Sequence, residues 1–242
     1  MSFPLALATA LTLSLTACGG GDKLDAGTSP TTPAPSSTPS TPSPSTATSA
    51  APVTRTSAEL TKALLVLSDL PSGFSEEKGD PGGGSKPFSS PSSRCKTLVK
   101  YLNATKAPGS KASVTRTFSG GQEGPYIDYG LDSMGTADKV ADLRDSYADA
   151  VDSCAKVSLK TQGAGSTSMK VEKITAPSYG TKPFAFRLTG TSGPKRGLEY
   201  TAAVTGVDDV ILSVGVLASQ GTELDPATEA AVTKARQVLK TA

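Results

Sequence analysis

The stretch Leu198-Glu199-Tyr200-Thr201-Ala202-Ala203-Val204-Thr205-Gly206-Val207-Asp208-Asp209-Val210-Ile211-Leu212-Ser213-Val214-Gly215-Val216-Leu217 decides the fold. Leu198, Tyr200, Ala202 and Val204 recur at every second position, the period of a strand with one buried face. Gly206-Val207-Asp208-Asp209 reads as a tight turn, and residues 210–217 as the returning strand. Upstream, Phe184, Phe186 and Leu188 alternate in the same way over 184–189, and residues 169–174 read as one more strand. Strands that follow one another without intervening helices pair antiparallel.

Two further strand-like runs lie earlier. Ala112, Val114, Arg116 and Phe118 alternate with Ser113, Thr115 and Thr117, and residues 126–131 follow after Gly121-Gln122-Glu123-Gly124-Pro125, a hairpin connection. The helical signals stand apart from the strands. Ser57 caps a helix over 57–68 with Leu60, Leu64 and Leu67 on one side. Pro91-Ser92 opens a second helix, in which Cys95, Leu98, Val99 and Leu102 form an i, i+3, i+4, i+7 stripe. Thr136 caps a third over 137–155, and Asp225-Pro226 starts a last one. Helices grouped apart from consecutive strands predict a single α+β domain: an antiparallel β-sheet with helices packed on one face. The other face is left for solvent or for part of a groove.

Ahead of this domain, residues 3–17 are uncharged and rich in Leu, Ala and Thr, a length suited to the core of a secretory signal rather than to a membrane span. The run closes on Leu15-Thr16-Ala17-Cys18, which resembles a bacterial lipobox. That reading makes 1–17 a lipoprotein signal peptide and Cys18 the acylated (palmitate-type) N-terminus of the mature chain. The alternative is an unmodified cysteine in an ordinary signal or uncleaved anchor; no Lys or Arg lies between Met1 and Leu5. Residues 28–52 use only Thr, Ser, Pro and Ala, which have no core to bury. Residues 18–54 therefore read as a disordered tether; its 28–52 stretch would reach about 75 Å when fully extended. Residues 55–242 form the domain. The expected location is the extracytoplasmic face of the cell membrane, held by a lipid anchor.

Charge and composition exclude several classes. Lys plus Arg number 24 against 22 Asp plus Glu, with no run of either sign, so there is no basic footprint for nucleic acid. The chain has no histidine, which removes Ser-His-Asp and Cys-His catalysis and His-based metal sites. Ser-x-x-Lys occurs at Ser75/Lys78, Ser93/Lys96 and Ser153/Lys156, but without the Ser-Asp-Asn and Lys-Thr-Gly partners of penicillin-recognising enzymes. The glycine-rich run 79–84 has P-loop spacing, yet Ser85 stands where lysine is required. Gly163-Ala164-Gly165 lacks a third glycine and opens no helix. Asp208-Asp209 and Asp142/Asp145/Asp149 read as a turn and a solvated helix face. No enzyme activity, metal or cofactor is expected.

With Cys18 assigned to lipid, Cys95 and Cys154 remain. Outside the membrane such a pair forms a disulfide. Val140, Tyr147, Val151 and Cys154 make a stripe on the third helix matching that of Cys95, so one bridge would staple two helices to one core. The alternative is two buried free thiols.

Leu64-Leu65-Val66-Leu67-Ser68-Asp69-Leu70-Pro71-Ser72-Gly73-Phe74 resembles the Leu-Leu-x-x-x-Asp-Leu-Pro-x-Gly-aromatic opening of actinobacterial envelope domains, in particular the PknH-like extracellular sensor domain. The cysteine at a helix start, the Tyr-rich strand at 126–131, the long helix ending in cysteine and the late strands before a terminal helix agree with it. The resemblance covers about residues 57–242. It implies an α+β fold with a broad cleft for a small ligand. Members often carry two disulfides, whereas this domain has cysteines for one.

These observations predict a non-catalytic ligand-binding or sensor lipoprotein whose partners are the membrane and an unknown small ligand or envelope protein. Tyr126, Tyr129, Phe184, Arg187 and Tyr200 are the candidate groove residues, the aromatics offering apolar area and Arg187 a hold on an anion. A structural or protein-interaction lipoprotein predicts instead a shallow sheet face. A lipid carrier requires a continuous apolar cavity, which the alternating polar residues oppose.

Overall fold

The computed structural model describes residues 52–78, 86–218 and 221–240. Cys18, the leader, nearly all of the tether and the glycine run 79–85 lie outside the described residues.

Among the described residues nine strands form one antiparallel sheet: β1 (Ser75–Glu76), β2 (Phe88–Ser89), β3 (Ala112–Ser119), β4 (Tyr126–Ser133), β5 (Lys156–Thr161), β6 (Gly165–Ile174), β7 (Thr181–Ser192), β8 (Glu199–Val207) and β9 (Val210–Leu217). Their order is β1-β3-β4-β9-β8-β7-β6-β5-β2. The β8–β9 hairpin closes on Asp208-Asp209, with Val207 paired to Val210. Asp208 has a positive φ of 51°, as two-residue hairpin turns require.

Among the described residues four α-helices accompany the sheet: α1 (Ser57–Ala63), α2 (Lys96–Leu102), α3 (Ala137–Asp152) and α4 (Leu224–Leu239). Thr56, one residue before the expected cap, starts α1 through a reciprocal capping box with Glu59. The helix ends at Ala63 rather than running to 68. An extended Leu64-Leu65 buries both side chains, which a continued helix would not. The Asp69 carboxylate then accepts the Val66 N–H and is held by Lys234 of α4. Helix α4 starts at Leu224, a residue earlier than Asp225-Pro226, because Leu224 is buried in the core.

The helices form two pairs. Helices α1 and α4 cover Phe118, Ile127, Leu131, Ala203, Leu212, Val214 and Val216. Helices α2 and α3 cover Val157, Met169, Val171, Phe184, Phe186, Leu188, Ala202, Val204 and Ile211. Alternate residues of a strand point to opposite faces, so the two clusters lie on opposite sides of the sheet. The patterning predicts all the helices on one face, and the structure corrects this: each pair covers its own half of the sheet and the halves use opposite faces, because the buried side chains of β3 and β4 fall on one side and those of β5 and β6 on the other. They overlap at β8 and β9, whose side chains are buried on both sides for much of their length. On the α2/α3 side, β3 and β4 extend beyond the helices. That leaves an open ledge beside a helical wall.

The Cys95 and Cys154 sulfurs are bonded, with the Cα atoms 4.7 Å apart. The bridge joins the turn before α2 to the end of α3. At the other end of the domain, Val53 N–H donates to the Gly135 carbonyl, and the buried Arg55 guanidinium meets the Asp209 carboxylate at 2.6 Å. Ser133 Oγ donates to the second Asp209 oxygen at 3.2 Å. The chain is therefore fastened to the sheet before its first helix begins.

Candidate functional site

The ledge is floored by the polar half of the β3–β4 alternation. Thr115 pairs with Gly130, Thr117 with Asp128 and Ser113 with Asp132, so all six share the α2/α3 face. From β9, Ser213 and Gly215 continue this floor, opposite Gly130 and Asp128 respectively. Gly130 and Gly215 lie diagonally on neighbouring strands of this floor, each beneath a neighbour's side chain. An added Cβ at Gly130 would come within 2.5 Å of Ser213 Oγ, and one at Gly215 within 2.3 Å of the Tyr200 hydroxyl.

The wall is aromatic. Tyr101 from α2 and Tyr147 from α3 have ring centroids 4.2 Å apart, and the Tyr101 hydroxyl is hydrogen-bonded to Ser146 Oγ at 2.6 Å. Tyr200 on β8 lies edge-on to Phe186 of β7 at 6.4 Å. The chain leaving α2 closes the third side. Ala107 N–H donates to Asp132 Oδ1 at 3.0 Å, and Lys111 N–H to the Ser133 carbonyl, which pins the connection across the end of β4. Floor, wall and loop enclose a cleft of about 220 Å³ lined by Tyr101, Tyr147, Phe186, Tyr200, Lys106, Asp128, Asp132, Thr115 and Ser213, among others.

The electrostatics follow from burial. Loss of solvent raises the Asp128 pKa above the ordinary carboxylate value, and the Thr117 hydroxyl, donating at 2.7 Å, only partly offsets this. Asp132 is raised by burial too, against Ser113, the Ala107 N–H and the charge of Lys106. The Tyr147 and Tyr200 phenols are held well above their usual range, first by burial and then by neighbouring acids, Asp132 and Asp128 respectively. These tyrosines stay neutral and act through ring faces and hydroxyls. Asp132 supports the loop, whereas Asp128 has only the Thr117 hydroxyl; among the described residues no Lys or Arg pairs with it.

The five residues expected to line a groove are not brought together. Tyr200 lines the cleft. Phe184 shares its face but is buried under α3, stacked on Phe186 at 5.9 Å. Tyr126 is on the same face near the end of β4, its hydroxyl donating to the Gln122 carbonyl. Tyr129 points the other way, into the α1/α4 core, packed edge-on against Phe118. Arg187 is also on that opposite face, paired with Glu199 at 3.3 Å. The residues not foreseen are Asp128, Asp132, Thr115 and Ser213 on the floor and Tyr101 and Tyr147 on the wall. Their signal is Asp128-Tyr129-Gly130-Leu131-Asp132: acids and glycine alternate with apolar residues, so one strand face is polar and open.

Among the described residues no cluster of three or more Cys, Asp or Glu is placed to hold a metal ion, and no helix is long and apolar enough to cross a membrane.

No protein-family model matches the chain, and no curated protein does. Among solved structures it is similar to the extracellular domain of PknH from Mycobacterium tuberculosis, with a TM-score of 0.59 at 20% sequence identity, over 78% of this chain and 98% of that one. The two share a fold.

Proposed function

We propose that this chain is a lipid-anchored, extracytoplasmic domain that binds a small ligand in the β3–β4–β9 cleft and performs no chemistry on it. The cleft carries the reading. It combines aromatic surface with a few converging polar groups, the composition of small-molecule sites. Its polar floor and modest volume of about 220 Å³ speak against an acyl-chain carrier. The likeness to an extracellular domain supports an extracytoplasmic place. The Leu15-Thr16-Ala17-Cys18 sequence supports anchoring, with 1–17 removed as a signal, Cys18 acylated, 18–54 as tether and 55–242 as binding domain. With no histidine in the chain, a Ser-His or Cys-His nucleophile pair has no base here.

A ligand that binds only the folded state raises the melting temperature by mass action. Small-molecule fractions of the native envelope, added to the purified domain, are expected to contain one that raises Tm by several degrees in the wild type and not in Tyr200→Ala. Absence of any such fraction counts against ligand binding. Separately, Cys18→Ser should move the protein from the membrane to the soluble fraction; retention on the membrane would contradict lipid anchoring.

A further inference from the structure

We infer that the ligand of this cleft carries a cationic nitrogen, of the ammonium or substituted-ammonium class; the inference rests on the ligand-binding reading above and names its chemistry. Two independent features converge on it. The first is Asp128. It sits on the cleft floor, largely withdrawn from water, and among the described residues its one side-chain hydrogen-bond partner is the Thr117 hydroxyl. A carboxylate accepts about four hydrogen bonds, of which that hydroxyl supplies one, while the residue itself lines the cleft. Asp132 differs, because its oxygens already hold the Ala107 N–H and it stands in the field of Lys106.

The second feature is the wall. Tyr101, Tyr147, Phe186 and Tyr200 line the same cleft. Aromatic faces attract ammonium groups through the ring quadrupole, most strongly where water is excluded. A wall of rings beside one uncompensated carboxylate is the arrangement that recognises an organic cation. An anion would meet Asp128 with only Lys106 to offset it. A neutral polyol would leave the carboxylate charge uncompensated.

The position of Gly130 and Gly215 fits this. Lacking side chains, they let the Tyr200 phenol lie over Gly215 and the Ser213 hydroxyl over Gly130, which brings a ring and a hydroxyl down to the floor beside Asp128. Asp128 and the Tyr200 ring thus line one cleft, where a nitrogen at the carboxylate has its substituents beside an aromatic side chain.

The test uses three small probes, one cationic, one anionic and one neutral, each followed by amide NMR shifts of the folded chain at matched ionic strength: tetramethylammonium chloride, sodium acetate and glucose. Saturable shifts at Gly130, Ser213 and Gly215 are expected with tetramethylammonium alone. Asp128→Asn should weaken that binding at least tenfold, and Arg187→Ala, on the opposite face, should leave it within twofold. Cleft shifts with acetate or glucose and none with tetramethylammonium would overturn the cation assignment while leaving ligand binding intact. Tetramethylammonium affinity unchanged within twofold in Asp128→Asn would overturn it as well. No cleft shift with any probe would also overturn it; ligand binding would then stand or fall on the envelope-fraction experiment.

Discussion

The phenol of Tyr200 lies across the backbone of Gly215 on the neighbouring strand: a methyl group added at Gly215 would stand 2.3 Å from its hydroxyl and 2.9 Å from two ring carbons. The absence of a side chain at 215 thus sets the orientation of the ring that lines the cleft. Gly215→Ala should turn Tyr200 away from its place beside Phe186 and Asp128. The cost of overpacking is about 1–3 kcal/mol, readable as a lowered urea midpoint. Ligand affinity should fall by at least tenfold. Unchanged affinity in Gly215→Ala would mean that the Tyr200 ring takes no part in binding.

Asp128 bears on stability with a definite sign. Its folded pKa is raised, by burial first, so the native state holds its proton to higher pH than the unfolded chain does. Stability contributed by this group is therefore greatest below the unfolded value near 3.8 and is lost as pH rises through the folded one. Asp132 and the neutral tyrosines 147 and 200 face the same space, and Lys106 stands at its edge. Asp128→Asn should raise the melting temperature of the ligand-free domain at pH 7 and flatten its fall above pH 4. A group that lowers stability where it stands is the pattern expected of a binding residue. A melting temperature lowered by the substitution would assign Asp128 a structural role.

The Arg55–Asp209 pair is buried on both sides, at 8% and 4% exposure. Removing one partner strands the other charge, so Arg55→Ala should destabilise the domain by about 3 kcal/mol in urea unfolding. An unchanged midpoint would place Arg55 in the tether rather than in the fold.

Cys95 and Cys154 are 59 residues apart in sequence. Closing a loop of that length lowers the entropy of the unfolded chain by an amount worth about 4 kcal/mol in the chain-entropy model. The double variant Cys95→Ser, Cys154→Ser should lose up to that much. Because the bridge also holds α2 beside α3, the variant should bind ligand more weakly even where it remains folded. A loss under about 1 kcal/mol would mean that packing alone fixes the two helices.

Residues 210–217 were legible from sequence to the residue, because a turn of two aspartates separates two runs of clear pattern. The strand Lys156–Thr161 was not: only Val157 and Leu159 supply its apolar signal, and it directly follows a helix end. The pairwise split of the helices was not legible either, since a period of two gives strand faces without saying which helix covers which. The five candidate groove residues divide between the two faces for a simpler reason. Tyr126 and Tyr129 are three residues apart on one strand, as are Phe184 and Arg187, and an odd spacing sends such pairs to opposite faces. On β4 it is the polar side, Asp128, Gly130 and Asp132, that lines the cleft, and not the tyrosine pair. Tyr101 and Tyr147 are ordinary positions on amphipathic helices, and only the tertiary arrangement brings them over that floor.

The measurement that tests the cleft most directly is native mass spectrometry of the full chain released from its own membrane without denaturation. The account predicts the mass of an acylated chain plus one stoichiometric small molecule that carries a positive nitrogen, and loss of that extra mass in Asp128→Asn. A chain bearing only its acyl group, or one whose bound molecule persists unchanged in Asp128→Asn, would contradict it.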